Sequence, residues 1–325
     1  MSLGNHINKV AIVGADGFIG KYFVEELLKL GQHEVTAISR IDSKAVIPEG
    51  VKVARVDYND QSTLVNALQG QEALIITMSV MAPKGTQTKL VEAAIAANVA
   101  YILPNEWGFD TSIEQVCQDT LQGPEKSAIR ELFAEDGKSS FINVITGFWY
   151  EYSLGFGANT YGMDWKNRTF TFFDDGETKI NTITMPQSGM AVAKLLALPI
   201  QPEKAGEPCL SNYKNKFIYV SSFLLSQKDM FQAVLRVSGT KVSDWKINYE
   251  ASTKRFEDGQ KQLAAGDRRE GYPKLMYSRI FSKDGVGNYE ERRGVENDAL
   301  GLPKEDLDEW TKVAIDRAEK GLKYH

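Results

Sequence analysis

The chain has 325 residues, 42% hydrophobic and 25% charged, with 38 basic against 43 acidic side chains and a formal net charge of −5. This ordinary globular composition supplies a core for one large domain or two moderate ones, and no block of like charge marks a nucleic-acid surface. The start Met1-Ser2-Leu3-Gly4-Asn5-His6 has no apolar signal core, and no stretch approaches the roughly 18 uncharged apolar residues of a membrane span.

Residues 9–13 read as a short apolar strand that breaks at Gly14. Residues 21–30 follow as a helix, carrying Phe23, Val24, Leu27, Leu28 and Leu30 at helical spacing, with Gly31 as its C-cap. Further strands are expected over 33–39, 51–56, 73–78, 100–103 and 141–145. Helices are expected over 61–68, 86–98 and 124–135, the last with Pro124 in its first turn. Strands alternating with helices predict an α/β chain with a doubly wound parallel sheet, whose strand ends share one ligand-bearing rim. After about residue 148 the rhythm changes. Aromatics and glycines crowd 148–173, and Asp174-Asp175-Gly176 forms a turn. A helix over 186–198, a strand over 217–220, a Ser226-capped helix over 226–238 and a strand over 246–249 follow. A loop-rich stretch covers 266–288, and an amphipathic helix ends the chain over 305–322. No repeat or Pro/Ser-rich linker separates the halves. The expected division is a nucleotide-binding domain over 1–150 and a smaller, intimately packed α+β substrate-binding part over 151–325 that returns elements to the first.

Gly14-Ala15-Asp16-Gly17-Phe18-Ile19-Gly20 follows the first strand and opens the first helix. In that context glycines permit a tight turn and close approach to a pyrophosphate, and the helix N-terminus supplies N–H donors. Asp16 sits oddly beside a diphosphate and is expected to point away and cap the helix. The second strand ends at Ser39-Arg40, with Lys44 close behind. A basic residue here matches a 2′-phosphate and so favours NADP(H) over NAD, although Asp42 lies close by. Asp57-Tyr58 ends the third strand, where the carboxylate either accepts from an adenine amino group or serves only the turn. The ends of the later strands add Met78, Ser79, Pro104, Asn105, Gly147, Phe148 and Trp149 to the candidate cofactor surface. Two distant cysteines, Cys117 and Cys209, fit no metal spacing. The three histidines, His6, His33 and His325, make His-ligated metal and Ser-His-Asp hydrolysis poor fits. No metal is expected, and unpaired cysteines suit a cytoplasmic setting.

Gly14 to Gly20, Arg40, Leu103-Pro104-Asn105-Glu106-Trp107-Gly108, and Lys126 with Ile129-Arg130 together resemble the NmrA-like group of atypical short-chain dehydrogenases, which includes isoflavone and phenylcoumaran benzylic ether reductases. The resemblance covers roughly residues 7–150, with a fainter echo over 180–198. It departs at Asp16, where the family carries Thr or Ser, and at Asn105-Glu106-Trp107, where the family has Ser-Glu-Phe. It implies a Rossmann fold, NADP(H) as cofactor and a small-molecule substrate. No Tyr here has Lys four residues later, so the ordinary short-chain dehydrogenase pair is absent. The resemblance instead places Lys126 at the nicotinamide ribose as a proton-transfer group. Read from residue type alone, Lys126 is first a solvated helix lysine pairing with Glu125 or Glu131, and only the resemblance sets the functional reading level with that one. The family covers its nicotinamide with the segment that here holds Phe148 to Tyr152, and Tyr150 becomes a candidate proton donor. Tyr161, Trp165, Phe170, Phe172 and Phe173 suit an aromatic substrate or ordinary packing. The reading is an NADPH-dependent reductase of a small aromatic or heterocyclic metabolite. Its alternatives are an NADP-sensing regulator without turnover and a nucleotide-binding enzyme with non-redox chemistry.

Overall fold

Short runs rich in β-branched residues, each ended by Gly, Pro or a polar turn, become strands. In the computed structural model, which describes residues 4–79 and 82–321, the first six are β1 (Lys9–Val13), β2 (Glu34–Arg40), β3 (Lys52–Val56), β4 (Ala73–Ile76), β5 (Tyr101–Leu103) and β6 (Ser140–Ile145). Among them lie α1 (Gly20–Leu30), α2 (Gln61–Leu68), α3 (Thr86–Ala96), α4 (Glu114–Asp119) and α5 (Gly123–Asp136). The chain continues through β7 (Phe148–Trp149), α6 (Tyr150–Phe156), β8 (Met163–Asp164), β9 (Thr169–Phe173), β10 (Ile180–Ile183) and α7 (Met185–Ala197). It ends through β11 (Lys216–Tyr219), β12 (Phe223–Leu225), α8 (Gln227–Ser238), β13 (Lys246–Glu250), α9 (Ser252–Ala264), α10 (Arg268–Ile280), α11 (Tyr289–Arg293) and α12 (Leu307–Glu319).

The central sheet has seven strands in the order β11-β6-β5-β4-β1-β2-β3, and every neighbouring pair is parallel. The order reverses between β1 and β4, which opens a crevice beyond their carboxyl ends. Apolar residues of α1 and α7 cover one face of the sheet, and those of α2, α3 and α5 cover the other. The late strand β11 pairs with β6, so residues beyond 151 complete the sheet begun by the first half. Two three-stranded sheets, β12-β10-β7 and β13-β9-β8, carry a separate apolar core built largely from aromatics. Tyr161, Phe170, Phe172 and Phe173 are buried in that core and Trp165 packs against it, so packing accounts for all five.

The region expected to be loop-rich over 266–288 is instead helical across Arg268–Ile280. Within it Gly271, together with Gly259 of α9, belongs to a helix–helix contact. A Cβ on Gly259 would lie 2.7 Å from the Leu275 nitrogen, and one on Gly271 would lie 2.9 Å from the Gly259 carbonyl oxygen. Asp267 caps α10 by accepting from the Glu270 N–H at 3.2 Å. Helices α4 and α9 also form in stretches for which no element was expected. The terminal helix runs Leu307–Glu319, and position 322 of its expected span lies outside the described residues.

Candidate functional site

The glycine loop bridges β1 and α1 at the crevice. Gly14 has φ +78°, and a Cβ there would stand 1.9 Å from the Thr77 carbonyl oxygen. A Cβ on Gly20 would lie 2.0 Å from the Gly14 carbonyl oxygen. These two positions must be glycine for the strand ends and the helix to approach. The Gly17 N–H donates to the Gly14 carbonyl at 2.9 Å, which closes the turn. Thr77 pins the loop from β4, its hydroxyl donating to the Val13 carbonyl at 2.7 Å. The first turn of α1 holds no acidic residue and no side-chain cap, so its amide dipole end suits an anion. Asp16 is exposed and does not cap α1, contrary to expectation, because the N-cap position falls on Ile19. Ile19 itself is buried, while Gly17 and Phe18 are half-buried at the crevice.

At the end of β2, Arg40 is exposed and lies 3.8 Å from Asp42. Ser39 is half-buried and Lys44 exposed beside it. Sequence reading missed Arg55 of β3. One of its nitrogens donates to Ser39 Oγ at 3.2 Å, to the Arg40 carbonyl at 3.0 Å and to the Ser43 carbonyl at 3.1 Å. Arg55 thus shapes the turn that carries Arg40 and adds a second cation to it. The pairing of β2 with β3, which aligns Ser39 with Arg55, produces this contact. Asp57 serves the turn after β3, accepting from the Asn59 N–H at 2.9 Å, and Tyr58 is half-buried beyond it.

On the other side of the crevice, Asn105 ties β5 to β4. Its side chain accepts from the Met78 N–H at 3.1 Å and donates to the Met78 carbonyl at 3.2 Å. Gln87 of α3 accepts from the Asn105 N–H at 2.6 Å. Pro104 is buried before it, and Ser79 is exposed after Met78. Lys126 lies on the apolar stripe of α5 with Ile129 and Phe133, at i, i+3 and i+7, and that spacing turns it inward. Its side chain is only 9% exposed, and Nζ lies 3.6 Å from Glu106 Oε2. Neither Glu125 nor Glu131 is the partner expected from sequence. Burial lowers the Lys126 pKa, the Glu106 carboxylate opposes that fall and Arg130 adds to it. Nζ also sits 5.6 Å from the centre of the Phe109 ring.

The segment after β6 brings aromatics to the rim. Gly147, at φ +67°, turns the chain so that Phe148 stacks on Tyr277 at 3.9 Å between ring centres. Trp149 and Tyr152 pack around Phe18 of the glycine loop, at 5.6 and 5.1 Å. Tyr150 points the other way. It is fully buried, its hydroxyl lies 2.7 Å from Thr311 Oγ1, and burial pushes its pKa above the ordinary tyrosine value. The geometry therefore brings Trp149 and the glycine loop together through Phe18, sets Lys126 against Glu106 and Phe109, and buries Tyr150 in the packing. Glu151, next in sequence, accepts from the Met185 N–H at 3.0 Å at the start of α7. Among the described residues the chain has no helix long and apolar enough to cross a membrane and no cluster suited to a metal ion.

Comparison with known proteins covers most of the chain. The model of the NmrA-like family matches residues 6–310. An oxidoreductase of Aspergillus flavus, aprR, is 26% identical over 305 residues, covering 93% of this chain and 96% of its own. Among solved structures, the pinoresinol-lariciresinol and phenylcoumaran benzylic ether reductases superpose with a TM-score of 0.75 at 21% identity, covering 93% of this chain and 98% of the other. The NADPH-dependent quinone oxidoreductase of Escherichia coli, complexed with NADPH, superposes with a TM-score of 0.65 at 19% identity over 93% and 98% of the two chains. At these identities the two structural likenesses establish the fold.

Proposed function

The chain belongs to the NmrA-like family, and from that premise we propose that it is an NADPH-dependent reductase of a small aromatic or heterocyclic metabolite, with Lys126 as its proton-transfer group. The observation that carries the reading is a glycine loop at the carboxyl end of β1 in which a Cβ at Gly14 or Gly20 would collide with backbone; the buried Lys126, paired with Glu106, is read as the group that faces a cofactor held there. The residues fit the cofactor by their own packing. A Cβ at Gly14 or Gly20 would collide with backbone, and the uncapped start of α1 is left to receive a diphosphate. Arg40, buttressed by Arg55, supplies a guanidinium for the 2′-phosphate. Bound NADPH supplies hydride. Lys126 supplies the proton, and the burial that lowers its pKa eases that release. Phe18, Trp149 and Tyr152 give a flat substrate an aromatic wall. The related enzymes are named oxidoreductases and reductases, which favours turnover over cofactor sensing. A cytoplasmic setting accords with two buried, unpaired cysteines.

The test begins with calorimetric binding of NADPH and NADH to the purified protein. NADPH consumption is then followed with a panel of aromatic carbonyls, quinones, enones and cyclic ethers. Preferential NADPH binding with oxidation on at least one aromatic panel member supports the reading. Tight NADPH binding with no consumption on any member favours the sensing alternative.

A further inference from the structure

We propose that Glu106 is the positioning residue of this site: its carboxylate holds Lys126 Nζ at the crevice and keeps it charged, while Arg130 draws on the same oxygen and makes Lys126 the group that yields a proton. The proposal rests on the reading of Lys126 as proton donor and adds the device that sets its charge.

Glu106 stands in the loop just after β5 and its side chain is 1% exposed. Three donors converge on its Oε2: the Thr111 hydroxyl, Arg130 Nη2 at 3.2 Å and Lys126 Nζ at 3.6 Å. Its other oxygen, Oε1, is buried and has no hydrogen-bond partner among the described residues. Among those residues Glu106 also supplies the one carboxylate within ion-pair distance of Lys126. Lys126 and Arg130 are four residues apart on one helix face, so two cations share one buried anion. That arrangement holds one positive charge in excess. A guanidinium does not deprotonate in a protein, so relief of the excess falls to the lysine.

The other groups facing Lys126 do not alter the sign. Cys117 approaches from α4, where burial raises its thiol pKa and keeps it neutral. Asp110 acts on Cys117 and accepts from Ser112 Oγ at 2.6 Å and from the Tyr219 hydroxyl at 3.3 Å. Phe109 offers only its ring. Burial and Arg130 push Lys126 toward the neutral amine; Glu106, and after it Cys117, push it toward the ammonium. Removing Glu106 and removing Arg130 must therefore move the lysine in opposite directions. A bridge that only held β5 to α5 together would have no such signature.

The experiment uses full-length protein carrying ¹³C-labelled lysine. The Lys126 side-chain resonance is assigned by its absence in Lys126→Met and titrated against pH. An opposite charge within about 4–6 Å shifts a pKa by about 1–3 units. Glu106→Gln should lower the Lys126 midpoint by about that much, and Arg130→Met should raise it. Glu106→Asp keeps the charge and should leave the midpoint close to that of the unaltered protein. A midpoint unmoved in Glu106→Gln, or moved the same way in both neutral variants, overturns the proposal. If Glu106→Gln does not fold, Arg130→Met decides by itself, and an unchanged or lowered midpoint there is the contrary result. The readout is the ammonium group and not turnover. Failure here therefore leaves the catalytic assignment to Lys126→Met kinetics, and failure of those kinetics leaves this titration intact.

Discussion

Arg40→Ala should weaken NADPH binding by about tenfold and leave NADH almost unaffected. A hydrogen bond to a charged group contributes about 1.5–3 kcal/mol. Two features of the structure place Arg40 at the low end of that range. Its side chain is 67% exposed, so solvent and salt screen its charge, and Asp42 lies 3.8 Å away as a competing partner. About 1.5 kcal/mol corresponds to about tenfold in affinity. The loss should shrink as ionic strength rises, since screening has by then weakened the same contact in the unaltered protein. Asp42→Ala should act the opposite way and tighten NADPH modestly. Arg55→Met should also weaken NADPH, because the Arg40 and Ser43 carbonyls lose the guanidinium that gathers them. Arg40 and Arg55 share one turn, so the double variant should not be additive. Isothermal titration of both nucleotides at low and high salt reads all of this. An Arg40→Ala protein that loses NADH and NADPH affinity equally, or neither, would refute the assignment of this turn to the 2′-phosphate.

Three further expectations follow from particular residues. Gly17→Val should abolish measurable NADPH binding while the protein still unfolds cooperatively, since its Cβ meets only the Gly14 carbonyl at 2.9 Å; Gly20→Ala, with 2.0 Å to the same oxygen, should cost far more in thermal stability. Tyr150→Phe should keep turnover and lose about 1 kcal/mol of stability in urea unfolding, because it removes one buried hydrogen bond whose partner Thr311 still donates to Leu307; a large fall in kcat would return Tyr150 to the mechanism. Burial raises the Glu151 carboxyl to about 7 from an ordinary 4.5, so the folded state binds the extra proton: the favourable contribution is complete below about pH 4.5 and is lost as pH rises toward 7, by about 3 kcal/mol. Glu151→Gln should flatten that slope in denaturation curves collected across the interval, and an unchanged slope contradicts the attribution.

The strands and helices of the first half were legible because hydrophobic period and glycine punctuation agree there. The α2 span expected from sequence coincides with Gln61–Leu68, capped by Asp60. Strand β4 ends at Ile76, two residues short of expectation, because Thr77 turns aside to pin the glycine loop. The second half was harder to read. Gly259 and Gly271 look like loop residues in a sequence, yet they serve the contact between α9 and α10, which depends on a partner helix. The glycine loop was legible for the same local reason as the strands. Arg55, Thr77 and Gln87 were not, since each acts across a strand pair or from a neighbouring helix, and no spacing within their own segments reveals it. Lys126 could be singled out only through resemblance, although its place on the stripe with Ile129 and Phe133 was a usable physical signal. Tyr150 illustrates the reverse. An aromatic at the end of a sheet strand suggests a site, but the first turn of α6 directs its hydroxyl into the packing beneath α12.

If NADPH delivers hydride while Lys126 provides the proton, deuterium placed on the cofactor must reach the product. NADPH carrying two deuteriums at the transferring carbon is incubated with the first carbonyl, enone or cyclic ether substrate that the panel yields, using the unaltered protein and Lys126→Met, and the product is analysed by mass spectrometry. Each product molecule should carry one carbon-bound deuterium. In Lys126→Met turnover should fall by about 10²–10⁴-fold, the usual worth of general acid–base catalysis, with NADPH affinity changed by no more than about 0.5–3 kcal/mol, the range of one hydrogen bond. Product formed without deuterium would contradict hydride transfer. Undiminished turnover in Lys126→Met would remove Lys126 from the chemistry.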